Sequence, residues 1–435
     1  MRSLSRYSSD APSLSFSASS SVDLPLLSVS SSVMQQTELE MCSILYNRGV
    51  YPEESFSKVK KYGLPLLLTQ DEGYYNFMTS WSDLDYDVLE HIAAFLPLAD
   101  HHRFSAVCHN WRWVAKHKHC SPCAQLPWLV MRQEASGVRR KFFNLTENRE
   151  YYIDIPHLYE QYCCGSSYGW LFIVDHKFKG RLLNPFTSEL YELPEFPKME
   201  AKMCRRRIMK AILSDDPSVK SDFTVVFLYA RDMQAVFWRP GDSAWTYIRC
   251  IQGTIKDAVF FQGRLYVVYS MDFIYTIKLG PKPTARFVGP RGPPLMGFCY
   301  LVDFMDELLL VHRNLRFIGG MKDRHLLTDK FDVHKVDLKG KRMSPCTDLG
   351  DYAIFLGVSS PVVVDSRQFQ GCRRNSIYFT DTSFKLSSRE YGRDDLGVYD
   401  MKEGIVEPYY PPEIFQPFDE PPIWLTPNCN RLLIK

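Results

Sequence analysis

Apolar side chains recur at helical spacing between positions 84 and 111, and that spacing changes sharply further on. Asp83-Leu84-Asp85-Tyr86-Asp87 is a polar, helix-starting turn, and Val88, Leu89, Ile92, Phe95 and Leu96 then fall on a 3.6-residue period. Pro97 ends that helix, because proline lacks the N–H and restricts the residue before it. Asp100 stands where it would cap a second helix, which presents Phe104, Val107, Cys108 and Trp111. Trp113 and Val114 continue into a third short segment. Three helices in so short a span make a bundle too small to hide every apolar side chain, so part of its surface is expected to seek a partner.

From about position 140 the rhythm is that of strands. Gly169–Val174, Phe223–Tyr229, Val259–Tyr269, Glu307–Val311, Ile354–Val358 and Ser376–Thr380 are short apolar or aromatic runs separated by turn residues. They recur at roughly 35 to 55 residues, the range of a four-stranded propeller blade, and about 290 residues at that period predict about six blades. No double-Gly or Trp-Asp signature marks each blade. The expected fold class is therefore α+β multidomain: a three-helix unit over 78–120, a linker over 121–139, and an all-β, propeller-like domain over 140–435.

Residues 1–77 read differently. The first 35 or so are dominated by Ser with few charges, a composition that buries too little apolar area to offset ordering entropy. A disordered tail is expected. The alternative is an organellar transit peptide, since Arg2 and Arg6 accompany many Ser and the only acids are Asp10 and Asp23.

Composition narrows the function. Of 435 residues, 45% are hydrophobic and 14% aromatic, enough for a buried β-rich core, and the net charge of +2 offers no long-range pull on nucleic acid or an anionic membrane. No apolar run reaches the roughly 18 residues of a membrane helix. The 12 Cys are scattered and are read as reduced thiols. His117, His119, Cys120 and Cys123 resemble half a zinc site, but a closed site needs a second well-spaced pair, and a polar linker is the simpler reading. No nucleophile elbow, phosphate-cradling Gly-rich loop or His-Glu metal spacing is present, and Asp215-Asp216-Pro217 reads as a turn, so neither a cofactor nor a catalytic residue is expected.

The helical span resembles an F-box. Trp81-Ser82-Asp83-Leu84, Leu89, Ile92, Leu96-Pro97-Leu98-Ala99-Asp100, Arg103-Phe104, Ala106-Val107-Cys108 and Trp111-Arg112 carry the likeness, with Asp85 where the motif usually has Pro. The remainder resembles the C-terminal domain of a large plant F-box family, a kelch-related domain of unknown function numbered 295. Leu183-Asn184-Pro185-Phe186-Thr187, Phe331–Asp337, Tyr378-Phe379-Thr380-Asp381, Gly397-Val398-Tyr399-Asp400 and Pro421-Pro422-Ile423-Trp424 carry that part. The resemblance implies a non-enzymatic substrate receptor that binds a Skp-type adaptor and, through it, a cullin and a ubiquitin-conjugating enzyme. The adaptor contact is expected from Leu84, Leu89, Ile92, Leu96, Leu98, Phe104, Val107, Cys108 and Trp111, which serve the bundle core as well.

Substrate capture is expected on polar or Gly/Pro-rich connections: Met199–Met209 with Arg205, Arg206 and Arg207, Gly280–Pro294, and Ser383–Asp395 with Arg389 and Arg393. Such Arg residues pair bidentately with acidic or phosphorylated groups. A non-degradative scaffold and, further off, a propeller enzyme are the rival functions. The expected location is nucleus and cytoplasm, or an organelle if the Ser-rich segment is a transit peptide.

Overall fold

A computed structural model describes residues 84–96, 98–116, 125–133, 139–159, 161–175, 177, 179–196, 208–229, 235–250, 255–269, 272–291, 297–318, 325–380, 395–409 and 422–428. Among the described residues three α-helices come first: α1 (Tyr86–Phe95), α2 (Leu98–Val107) and α3 (His109–Lys116). Helix α1 starts when the Leu89 N–H reaches the Asp85 carbonyl at 3.0 Å, and it stops at Leu96, whose backbone is extended as expected of a residue before proline. Asp100 is not a cap. It lies inside the first turn of α2, where its carboxylate suits the helix dipole, and it binds Arg103 one turn on at 2.6 Å. Leu89, Ile92, Phe104, Val107, Trp111 and Val114 form the buried side of the helices, with the Phe104 and Trp111 rings 4.4 Å apart.

The rest is a six-bladed propeller. Blade 1 spans 128–154, blade 2 162–195, blade 3 208–248, blade 4 255–291, blade 5 297–345 and blade 6 352–407. Blades 2 to 5 are four-stranded antiparallel meanders. Blade 6 has five strands, because Tyr352–Leu356 pairs in parallel with Ser376–Phe379 and antiparallel with Val362–Asp365. Blade 1 takes its fourth strand from the far end of the chain: Ile423–Leu425 pairs with Trp128–Gln133, setting Leu129 opposite Trp424.

Neighbouring blades share apolar seams, and the alternation of each strand explains the uninterrupted apolar runs. Trp170, Phe172 and Val174 face the seam with blade 3, whereas Leu171 and Ile173 face the seam with blade 1. Val225 and Phe227 turn to blade 2, Val226 and Leu228 to blade 4. A strand buried on both faces has no polar side to show, so its period-two pattern disappears from the sequence. This corrects the expected linker over 121–139. Trp128–Gln133 is a strand whose Trp128 and Val130 pack against blade 2 and whose Leu129 and Met131 pack against blade 6.

Polar groups tie the seams at depth. Lys210 of blade 3 donates to Asp257 of blade 4 at 2.6 Å, and the other oxygen of that carboxylate accepts the Leu301 N–H of blade 5 at 2.7 Å. Arg313 of blade 5 donates to the Thr380 carbonyl at 2.8 Å and to the Asp395 carboxylate at 2.7 Å, with its guanidinium 4.6 Å from the Phe379 ring. At the closure, Ser166 of blade 2 and Ser359 of blade 6 both donate to the Trp424 carbonyl, while Trp424 Nε1 donates to the Leu356 carbonyl at 3.0 Å.

Two consequences are open to measurement. Arg313→Ala strands a buried carboxylate and should cost about 3–5 kcal/mol of folding free energy, as should Trp424→Ala by leaving a cavity at the closure. Chemical unfolding reads both, and a midpoint equal to the parent's for either variant refutes that assignment. The second consequence is an acid sensitivity. His334 is held below its ordinary value by burial first and then by His312, 6.0 Å away, against an opposing pull from Asp332. Burial alone would raise the Asp272 carboxyl, but contacts with His312 and Lys256 outweigh it and hold it below the usual carboxylate range. For both groups the unfolded chain takes up the proton first, so stability falls with pH, starting near pH 6.5 for the histidine and continuing below about pH 4 for the carboxylate. His334→Gln should flatten the loss between about pH 7 and 5 in a thermal unfolding series; an unaltered slope would remove His334 from the account.

Candidate partner-binding surfaces

The positions expected to meet an adaptor turn inward. Leu84, Leu89, Ile92, Leu96, Leu98, Phe104, Val107 and Trp111 are all buried, and Cys108 is half-buried. Leu98 lies in the same apolar cluster as Trp128, Ile155 and Leu158, which anchors the first turn of α2 in the seam between blades 1 and 2. Among the described residues the large apolar side chains left outside are a different set: Tyr86, Val88 and Trp113, which are 49%, 38% and 47% exposed. The Tyr86 and Trp113 rings meet edge-on, with centroids 5.1 Å apart, so α1 and α3 present one aromatic patch. The signal was in the sequence. Trp111 and Trp113 are two residues apart, and on a helix such residues cannot share a face. If Trp111 is core, Trp113 is surface. Spacing does not mark Tyr86 or Val88 in the same way, because Val88 is one turn from Ile92 and Tyr86 three residues from Leu89; only their polar neighbours Asp85 and Asp87 hint at the surface.

Several expected sites on the propeller change character. Within Gly280–Pro294, Thr284–Arg291 is a strand that pairs with Phe273–Lys278, the residues before it form a turn, and residues 292–294 lie outside the described residues. Ala285-Arg286-Phe287-Val288 supplies strand-forming residues, and Pro290 is tolerated because the strand is an outer one. Asp395, at the end of the expected loop Ser383–Asp395, is buried and holds Arg313 and the Thr328 N–H. Arg205, Arg206, Arg207, Arg389 and Arg393 lie outside the described residues, as do His117, His119, Cys120 and Cys123. Asp216 is a structural turn residue, accepting from Trp170 Nε1 at 3.2 Å and from Asn428 at 2.6 Å.

The buried titratable groups serve the seams. Asp272 is fully buried, with Lys256 Nζ at 2.9 Å and His312 Nε2 at 3.3 Å. Cys299 is buried too, and burial pushes its thiol far up, which leaves it a neutral core residue and a poor nucleophile. Among the described residues no group of three or more His, Cys, Asp or Glu is arranged to hold a metal ion.

Known proteins resemble the chain in both parts. The F-box protein SKIP23 of Arabidopsis thaliana is 25% identical over 415 residues, covering 81% of this chain and 97% of its own. The F-box protein At2g05970 of the same plant is 23% identical over 376 residues, covering 77% and 92%. Among solved structures, YCF48 bound to D1 peptide aligns at a TM-score of 0.30 with 13% identity, covering 50% of this chain and 65% of that one. Residues 81–116 match the F-box domain model and residues 142–400 match the model described as KIB1-4 beta-propeller. The second match spans more than half of the chain, which therefore carries an F-box domain and belongs to the KIB1-4 beta-propeller family.

Proposed function

We propose that this chain is the substrate receptor of a Skp-cullin-F-box ubiquitin ligase. The observation that carries the reading is the pairing of an F-box, with a half-exposed aromatic patch at Tyr86, Val88 and Trp113, to a closed six-bladed ring. Two aromatic rings that stand about half exposed side by side on a small bundle are favoured anchors of a protein interface. The buried F-box positions then act indirectly, by holding α1 and α3 at the angle that keeps Tyr86 beside Trp113.

On this reading the chain does no chemistry of its own. The adaptor brings the cullin and the conjugating enzyme, the propeller holds the protein to be modified, and rate comes from effective concentration. Anchorage of Leu98 in the seam between blades 1 and 2 supports a fixed spacing between the two ends. The chain acts in the nucleus and cytosol, where such ligases have their substrates.

Tyr86→Ser combined with Trp113→Ser should weaken binding of a purified Skp-type adaptor by at least about tenfold, because each removes an aromatic anchor, while the propeller unfolds as in the parent. Titration calorimetry and thermal unfolding read the two halves, and adaptor affinity equal to the parent's would move the contact elsewhere. Ubiquitination of a co-purified protein by the reconstituted ligase separates the receptor from a non-degradative scaffold. For location, a fluorescent protein carrying residues 1–40 should stay diffuse in nucleus and cytosol; its import into plastids or mitochondria with cleavage would overturn that part.

A further inference from the structure

We propose that a groove between blades 3 and 4 docks an Asp- and Glu-rich segment of the captured protein; the assignment of that segment to a ligase substrate rests on the receptor reading above. The groove has a volume of about 640 Å³, and the charged residues lining it are Arg239, Arg264, Lys278, Arg286 and Asp215. Asp215 is already paired with Lys220, so the acid brings little relief to the four cations. Arg264, Lys278 and Arg286 are exposed and enter no ion pair among the described residues. Arg239 is also exposed; it donates through Nε to Thr224 at 3.2 Å and lies 5.4 Å from the Phe237 ring, leaving the rest of its fork open.

The strand register explains how the cations gather. Gln262 and Gly263 both have positive φ, +48° and +71°, the geometry of a tight hairpin turn that matches strand twist, and Arg264 follows directly. Lys278 is the last residue of the next strand and stands opposite Thr284, while Arg286 stands opposite Thr276. Hydrophobic neighbours in the same groove, Phe260 and Leu279, are only partly buried against the seam below.

An uncompensated group of four like charges raises the local potential and favours an anion. Its layout selects the kind. The cations are separate exposed side chains on a turn and three adjacent strands, not a closed nest of backbone N–H donors, so several carboxylates in series match them better than one phosphate does. The apolar floor adds a place for one hydrophobic side chain within the acidic segment.

The test uses the full chain co-purified with its adaptor and a fluorescent Glu-rich peptide carrying one Leu. Its companions are the same peptide with Gln for every Glu, a phosphoserine peptide and a single-stranded RNA. Fluorescence anisotropy should show binding of the Glu peptide that weakens with added salt and disappears with Gln. The triple variant Arg264→Glu, Lys278→Glu, Arg286→Glu should lose at least about tenfold in affinity, the sum of three exposed charge pairs. A variant with the same charge change elsewhere on the propeller, Lys339→Glu, Lys341→Glu, Arg342→Glu, should bind as the parent. All of these side chains are exposed, and an unchanged unfolding midpoint certifies the fold. Equal binding of Glu and Gln peptides, no binding of either, equal loss in both triple variants, or tighter binding of the phosphopeptide or RNA overturns the proposal. Adaptor retention in the same samples is read separately. Its loss would sink the receptor reading and leave the groove standing, whereas peptide failure with the adaptor retained sinks the groove alone.

Discussion

A blade with two apolar faces has nothing to cover them except its neighbours, and every other feature of this molecule follows from that constraint. A row of such blades ends in two bare faces, and only a ring has none. The ring must therefore be completed by residues from opposite ends of the chain, which is the task of Ile423–Leu425 beside Trp128–Gln133. Trp424 is suited to it. Its ring packs edge-on against Phe355 at 5.0 Å, its indole N–H is taken by the Leu356 carbonyl, and its own carbonyl is taken by Ser166 and Ser359. One residue thereby joins blades 1, 2 and 6 with both its apolar and its polar atoms satisfied, as burial at 1% exposure requires.

Apolar seams specify that blades touch but tolerate sliding, whereas a buried hydrogen bond has one register. Asp257 illustrates the difference. Its carboxylate spans three blades through Lys210 and the Leu301 N–H, and a shift of either seam by one residue would leave a charge buried without a partner. Arg313 does the same between blades 5 and 6. Pairs of this kind add little net stability compared with an apolar replacement, so their contribution here is to alignment: they penalise every ring but one.

The legible part of the molecule was the part governed by repetition. Apolar runs such as Gly169–Val174 announced strands, and their period announced the number of blades. The strand at Trp128–Gln133 escaped because its partner lies almost 300 residues away, and a single run next to the helices has no local hairpin to mark it. Asp395 was misread for a related reason. Beside Asp394 and Arg393 it looks like one more loop charge, and only Arg313, 82 positions earlier, reveals it as a buried tie. In the helices, spacing identified which apolar residues belong together but not which side of the bundle they occupy. Leu98 and Phe104 resemble Val88 and Tyr86 in composition, and their opposite fates depend on packing against blade 1 and on α3.

A ring whose faces are all committed leaves little room for function to vary. A strand residue in a seam touches two neighbouring blades, so a change made for a partner's sake would be felt as a packing defect. Only the turns and the terminal residues of strands escape, because they need satisfy the backbone alone. The basic groove fits this rule closely. Arg264 follows a hairpin turn, Lys278 ends a strand, Arg239 follows one, and Arg286 stands on the outermost strand of its blade, which has no further strand to pair with. The aromatic patch of the helical unit obeys the same logic from the other side: Leu89, Ile92 and Trp111 are fixed in the bundle core, and Tyr86, Val88 and Trp113 stand at its surface. Where a fold spends its apolar residues on closing itself, exposed rings on the helices and unpaired cations on the blades are the places where a second molecule has a physical reason to bind.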